Sequence, residues 1–209
     1  METPVEEKRI GNYLIKIFQD ESPSDPRGDD NLGKMVCFNK KYNLGDKHDY
    51  RKSDYDSWNE LEADIMKIEK PCVIVPLWIL DHSGISISTA RICQWDSTMV
   101  GFAFITKEAL KKEFGYKRIG AIQIKKAEDF LKGEIETYNQ YLTGDVYGYE
   151  IVEVSKCDHD CDHEKFMDSC WGYYGQEYCM KDAEAVVGHY IGKKEPDPTD
   201  KVPAVPTEA

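Results

Sequence analysis

Two kinds of segment are missing from this sequence. No apolar run approaches the roughly 20 residues that a membrane-spanning helix needs, and no basic and apolar targeting signal stands at the N-terminus. Basic residues are also scarce, since 27 Lys and Arg stand against 39 Asp and Glu, for a net charge of -12. We therefore expect a cytoplasmic protein with no membrane span. We also expect no direct contact with nucleic acid, because phosphate binding depends on Lys and Arg.

Cysteine is also too sparse and too irregular to suggest a disulfide framework. The seven cysteines are an odd number spread along the chain. Hydrophobic residues make up 41% of the sequence, which is enough to build a core without covalent links. Reduced thiols are therefore the expected state.

The length of 209 residues suits one sizeable core and is short for two. We predict a single domain over residues 1–192, with a loop at residues 21–30. Residues 193–209 contain four of the nine prolines and almost no large apolar side chains. That composition predicts a disordered, acidic and proline-rich tail.

Apolar periodicity predicts a mixture of strands and helices. Strands are predicted at residues 13–18, 34–38, 72–80, 85–89, 99–105 and 146–154, and helices at 55–67, 106–113, 122–142 and 183–191. Pro76 predicts a bulge or an edge within its strand, because proline cannot donate to a ladder. No βαβ order or internal repeat is visible. We therefore predict an α+β fold with a mainly antiparallel sheet flanked by three to four helices.

The segment 157–163 is dense in metal-binding side chains. It predicts a zinc site, because thiolates and imidazoles are the usual zinc ligands. The candidate ligands are Cys157, His159, Cys161 and His163. Their spacing is not that of a zinc finger, so a charged hairpin tip with incidental thiols is the slightly favoured alternative. A calcium loop built on Asp158, Asp160 and Asp162 is a weaker match, because the glycine and glutamate of an EF-hand are absent.

Five dispersed polar residues could line one pocket of a metal-assisted hydrolase or a nucleotide-processing enzyme. They are Asp81, His82, Asp96, Glu134 and Asp168. Carboxylates near an imidazole can act as acid, base or metal ligand. Ser83 and Ser97 lack the frame of a nucleophile elbow. For each cluster taken singly, a structural turn or a solvated helix face is the favoured interpretation.

Negative charge and aromatic residues coincide near the C-terminal end. Residues 144–184 contain eleven acidic residues and three lysines. Residues 168–175 (DSCWGYYG) place aromatic rings between glycines, which predicts an irregular segment that displays rings to a partner or forms a structural plug. The expected contact residues are Trp171, Tyr173, Tyr174, Asp158, Asp160 and Asp162.

Five motifs in a common order resemble an uncharacterised family of bacteriophage and mobile-element proteins. They lie at residues 42–46 (YNLGD), 81–84 (DHSG), 95–101 (WDSTMVG), 133–148 (GEIETYNQYLTGDVYG) and 168–175. The resemblance implies no activity, and the segment 157–163 is not part of it. It implies an accessory protein of the bacterial host cytoplasm, of a kind that often acts against restriction or CRISPR nucleases.

Taken together, these features favour a non-enzymatic protein that inhibits a host nucleic-acid-processing complex, as anti-CRISPR or anti-restriction proteins do. Its partner would be a basic host protein surface or a nucleoprotein complex, because the chain itself is acidic. An enzyme with the five polar residues above is one alternative. A protein that sequesters a small ligand in an aromatic pocket is another.

Overall fold

The computed structural model describes residues 3–82, 84–156 and 162–194. Within them, four α-helices accompany two antiparallel sheets of four strands each, which confirms the predicted α+β fold. The chain divides into two compact units, and each contains one sheet. The terminal unit comprises Met1–Glu21 and Val146–Ala209, and the central unit comprises Ser22–Asp145. No helix in the described ranges combines the length and the apolarity that crossing a membrane requires.

The elements follow one another without a regular βαβ order. They are β1 (Glu6–Ile10), β2 (Tyr13–Gln19), β3 (Lys34–Cys37), α1 (Trp58–Ile68), β4 (Pro71–Asp81), β5 (Ile85–Ser88), β6 (Ser97–Thr106), α2 (Lys107–Phe114), α3 (Ala121–Thr143), β7 (Val146–Lys156), β8 (Asp162–Tyr174) and α4 (Gln176–Lys194). Two short 3-10 turns lie at Pro26–Gly28 and Lys52–Asp54.

The terminal unit is a sheet in the order β1-β2-β7-β8 with α4 packed on one face. Side chains alternate between the two faces of a strand, so the odd-numbered residues of β2 and β7 point together toward α4. Their core is formed by Ile15, Ile17, Tyr149 and Ile151 with Ala183 and Val187 of α4.

The central unit is a sheet in the order β3-β6-β4-β5 with apolar side chains on both faces. One face packs against α3 through a core that includes Met35, Leu77, Ile105, Leu131 and Ile135. The other packs against α1 through Val36, Phe102, Phe104, Leu61 and Ile65. Burial on both faces explains why β6 reads as an almost continuous apolar run.

Local signals explain the helix ends of the central unit, although α1 begins at Trp58 rather than at the predicted residue 55. Ser57 accepts a hydrogen bond from the backbone N–H of Glu60 and begins α1. Thr106 does the same for Ala109 at the start of α2, as predicted. Gly115 and Gly144 follow α2 and α3 with positive φ, the conformation that ends helices.

Pro76 behaves as predicted. On the outer side of β4, β5 pairs only with Trp78–Asp81, so Pro76 lies on a part of the strand where that side has no neighbour. The pairing of β4 with β6 shifts its register at Leu77/Trp78, immediately after Pro76 in the sequence. Proline is tolerated because no ladder partner needs its missing N–H.

Four features of the terminal unit differ from the predictions. Strand β1 (Glu6–Ile10) lies where no strand was predicted. Residues 168–174 are not irregular, because they belong to the 13-residue strand β8. Helix α4 begins at Gln176 rather than near residue 183, and it extends to Lys194, two residues into the predicted tail. Residues 195–209 lie outside the described part of the chain. The single-domain boundary at residue 192 stays a prediction.

Candidate functional site

The strand β8 forms one edge of the terminal sheet and pairs with β7 along its length. Its register shifts twice, at Tyr147/Gly148 and at Ile151/Val152. Each shift is a bulge that leaves one residue of β8 without a partner on β7. The first shift leaves out Gly172, and the second leaves out Met167. Gly172 has a φ of 85°, a conformation that glycine adopts without strain.

The two bulges sort the side chains of β8 between the faces of the sheet. Met167 and Tyr173 pack into the core beneath α4. Trp171 lies opposite Gly148 and Phe166 lies opposite Val152, so both rings stand on the other face. A regular strand would alternate residues 166 and 171 onto different faces, because their spacing is odd. The bulge at Met167 therefore brings the two rings onto one face.

Trp171 is held in place by its neighbours on the sheet. Gly148 has no side chain, and a Cβ atom there would overlap the Trp171 indole. The Phe18 ring lies beside it, with 6.1 Å between ring centroids. Trp171 still exposes 43% of its surface and Phe166 exposes 61%. The face thus presents two aromatic rings on a rigid strand.

Charged residues continue the same face toward the hairpin end. Glu164 lies opposite Val154 and Asp162 lies opposite Lys156, so their carboxylates follow Phe166 along β8. Glu164 forms an ion pair with Lys16 at 2.5 Å, which neutralises part of this charge. We call Asp162, Glu164, Phe166 and Trp171 the β8 face. Of the other predicted acidic contacts, Asp158 and Asp160 lie outside the described residues.

The two tyrosines predicted to accompany Trp171 have other surroundings. The Tyr173 hydroxyl donates a hydrogen bond of 2.5 Å to Asp182 of α4, and its ring packs near Tyr149. Burial, followed by the hydrogen bond to Asp182, raises the pKa of Tyr173. Tyr174 is half-buried at the end of β8, opposite Val146. Trp171 is the most exposed of the three predicted aromatic contacts.

Asp168 also serves the packing of α4. It lies opposite Ile151, on the α4 side of the sheet, and its carboxylate accepts a hydrogen bond of 3.1 Å from the Tyr190 hydroxyl. This contact ties the end of α4 to the edge strand. Asp168 is thus one of the acids that the fold itself employs.

Asp81 and His82, at the end of β4, lie in an exposed turn. Lys41 donates to the Asp81 carboxylate at 3.0 Å, and the Tyr42 hydroxyl donates to it at 3.2 Å. The Lys41 hydrogen bond lowers the pKa of Asp81. The His82 backbone N–H closes the turn on the Gly84 carbonyl, while Ser83 lies outside the described residues.

Asp96 belongs to a second turn, at the start of β6. The Cys93 thiol donates to its carboxylate at 3.6 Å, and the buried Ser97 hydroxyl accepts the Cys93 backbone N–H at 2.9 Å. Ser97 therefore stabilises the turn. Trp95 between them is 87% exposed.

Glu134 of α3 binds the loop that precedes β3. Its carboxylate accepts hydrogen bonds from the backbone N–H groups of Leu32 and Gly33, at 2.7 and 3.0 Å. The Arg27 guanidinium lies 3.5 Å away. Burial raises the pKa of Glu134, against the lowering effect of these donors. A Cβ atom on Gly33 would lie 2.6 Å from Leu131 Cδ1 and 2.7 Å from the Glu134 carboxylate, so a side chain at this position would displace them.

The structure gives the five candidate enzyme residues separate partners. Asp168 belongs to the terminal unit and the other four to the central unit. Among the described residues, no group of three or more His, Cys, Asp or Glu side chains is placed to hold a metal ion. Of the predicted zinc ligands, His163 alone is described, as an exposed residue near the start of β8. Cys157, His159 and Cys161 lie outside the described ranges, so the zinc site stays a prediction.

Comparison with known proteins adds no further constraint. No family model matches the chain, and the searches of curated proteins and of solved structures find no significant match. Function must therefore be inferred from the residues and their geometry.

Sequence reasoning missed two residues that organise these surfaces. Phe166 was not singled out, because its position relative to Trp171 depends on a bulge that no local motif marks. Arg27 stands in a segment that the sequence marks only as a loop. Its one signal is the Asp25-Pro26 pair, since Asp25 accepts the Arg27 backbone N–H and caps the 3-10 turn.

Proposed function

We propose that this protein acts by binding another protein, and that the β8 face contacts a basic surface of that partner. The supporting observation is the placement of Phe166 and Trp171 on one face of an edge strand, followed by the carboxylates of Glu164 and Asp162. Large aromatic side chains of this kind supply much of the energy of protein interfaces.

The energetics of the β8 face suit a protein partner. The exposed apolar area of Phe166 and Trp171 is favourable to remove from water, at about 25 cal/mol per Å². Both residues stand on a β-strand, so binding orders less backbone than it would on a loop, and the Trp171 ring is already held against Gly148 and Phe18. Glu164 is paired with Lys16 and Asp162 lies opposite Lys156, so the attraction to a basic surface comes from the net charge of -12 of the whole chain rather than from these two carboxylates alone.

Strand addition is not the expected mode at this edge. Two bulges interrupt the regular backbone pattern of β8, and three of its first four residues, Asp162, Glu164 and Lys165, are charged. Natural proteins use these same devices to prevent another strand from pairing with an exposed edge. The side chains of the β8 face, rather than its backbone, would therefore make the contact.

The role we propose is that of an acidic accessory protein of a phage or mobile element. It would inhibit a nucleic-acid-processing defence complex of the bacterial host, of the restriction or CRISPR type, by occupying a basic groove. The motif resemblance and the net charge of -12 support this context. The five candidate enzyme residues give no comparable support to catalysis, because each has a structural setting of its own.

Affinity capture from a bacterial lysate tests the proposal. Immobilised protein should retain a basic host protein at low salt and release it at high salt, because surface charge attraction is screened. Trp171→Ala should weaken the association by roughly thirtyfold, the size expected for an interface anchor. Tyr178→Ala is the matched control, since Tyr178 is 62% exposed but lies on α4. Recovery of no partner at low salt, or equal losses in both variants, would contradict the proposal.

A further inference from the structure

The outer side of β4 is only half covered. Strand β4 runs over 11 residues, but β5 pairs only with Trp78–Asp81. Among the described residues, no strand lies beside Cys72–Val75 on that side. The opposite edge of the same sheet differs, because the backbone of Met35 on β3 exchanges hydrogen bonds with Asp46.

A cavity of about 430 Å³ lies beside this uncovered segment. Its walls are the segment 72–75 of β4 and the α3 side chains Glu128, Leu131 and Lys132. Leu131 is buried and gives the cavity an apolar floor, while Lys132 is exposed at its rim. The cavity is therefore a groove between a strand edge and a helix.

The size and position of the groove match one further strand. Strands lie about 4.8 Å apart, sheets about 10 Å apart, and each residue rises about 3.3 Å, so a strand residue occupies roughly 160 Å³. The groove therefore accommodates two to three residues. It lies in line with β5, on the side of β4 where the backbone N–H and C=O groups have no neighbouring strand to pair with.

We propose that this groove binds an extended peptide segment of a partner protein, which pairs with Cys72–Val75 as an additional strand in line with β5. Backbone hydrogen bonds would supply affinity, and a β-branched or other apolar side chain would face Leu131. Pro76 has no N–H to donate, so it ends the pairing before β5 begins. The bound segment itself must have a free amide at the position that pairs with β4.

An extended segment fits better than other occupants. A small molecule would fill the cavity but leave the row of β4 backbone groups without partners. A second folded copy approaching edge to edge would have to fit its own edge strand beside α3, which forms the opposite wall of the groove. The groove belongs to the central unit and shares no residue with the β8 face, so this inference is independent of the proposed function.

Selection from a phage-displayed library of short random peptides tests the inference. Selected peptides should lack proline and alternate apolar with polar residues. Binding of the synthetic peptide should shift the backbone amide resonances of Ile74 and Val75. Methylation of its pairing amide nitrogens should weaken binding at least tenfold, because N-methyl groups remove donors and block strand approach.

Two variants on α3 separate groove binding from binding elsewhere. Glu128→Trp should abolish peptide binding by filling the groove. Lys126→Trp should leave it unchanged, since Lys126 is exposed on another side of the helix and does not line the cavity. Trp171→Ala should also leave it unchanged. Failure to select any peptide, or binding that survives both N-methylation and Glu128→Trp, would overturn the inference.

Discussion

The guanidinium of Arg27 donates to both carboxylate oxygens of Asp46, at 2.9 and 2.7 Å. The same guanidinium donates to the Gly33 carbonyl at 2.8 Å and lies near Glu134 of α3. Asp46 also accepts the backbone N–H of Met35 in β3. Arg27 therefore ties a loop, an edge strand and a helix of the central unit together.

This network gives a structural role to two residues of the recognised motifs. Asp46 completes the YNLGD segment and Glu134 was a candidate for catalysis, yet both serve Arg27 and nearby backbone groups. The Arg27 side chain is only 3% exposed, so its charge depends on these two carboxylates. A paired buried charge of this kind is costly to disrupt.

Arg27→Met should destabilise the protein by about 3–5 kcal/mol, because it leaves two partly buried carboxylates without their cation. Urea unfolding measures the change, with an unaltered slope showing that the unfolded state is the same. Lys125→Met is the control, since Lys125 forms exposed ion pairs with Glu128 and Asp129. It should change the free energy of unfolding by less than about 1 kcal/mol. Equal effects would contradict the role given to Arg27.

Gly148→Ala should displace Trp171 from its position on the sheet. The added methyl group overlaps the indole, so we expect a loss of about 1–3 kcal/mol and a changed tryptophan fluorescence. Adding Trp171→Ala to this variant should remove much of the loss, because the overlap disappears. Gly133→Ala in α3 is the matched control. No atom lies within 4 Å of a Cβ there, so it should stabilise the helix by about 0.5–1 kcal/mol.

The free thiols should react in an order set by burial. Cys170 is exposed on β8, whereas Cys37 and Cys179 are buried. Burial raises the pKa of Cys37 to about 12 and that of Cys179 to about 12, so both are protonated at neutral pH. Alkylation of the native protein followed by peptide mass spectrometry should therefore label Cys170 well before the other two. Early labelling of Cys37 would contradict its burial in the central core.

Stability should fall as the pH rises from about 10 to 12. Burial raises the pKa of Tyr138 to about 12, above the ordinary value near 10 of an unfolded tyrosine. The folded state thus favours the protonated hydroxyl, and its contribution is complete below pH 10 and is lost as the pH rises through 12. Denaturant unfolding at stepped pH measures this loss. Tyr138→Phe should reduce the slope, and an unchanged slope would assign the pH dependence to other groups.

Elements that depend on local sequence were the predictable part of the fold. The 3.6-residue periodicity of α3 and the Thr106 cap of α2 depend only on residues close together in the sequence. Both predicted helices are confirmed. The position of Glu134 beside Arg27 joins residues 107 apart in sequence, so no local pattern reveals it. Long-range pairing of this kind also decided which strands share a sheet.

The β8 face also depends on strand pairing that the local sequence only partly predicts. The sequence identified Trp171 as a contact residue, but grouped it with Tyr173, which packs under α4. Gly172 between them could have indicated a bulge, because a glycine inside a strand often marks one. The bulge at Met167 carries no such mark, so the pairing of Phe166 with Trp171 on one face was not predictable from the residues.

Hydrogen exchange on the complex with the captured basic partner tests the central claim most directly. If the β8 face is the contact surface, amides of β8 (Asp162–Tyr174) should exchange more slowly in the complex, while those of α1 (Trp58–Ile68) should be unchanged. The double variant Phe166→Ala and Trp171→Ala should lose both the complex and the protection. Protection confined to other elements, with β8 exchanging as in the free protein, would contradict the account.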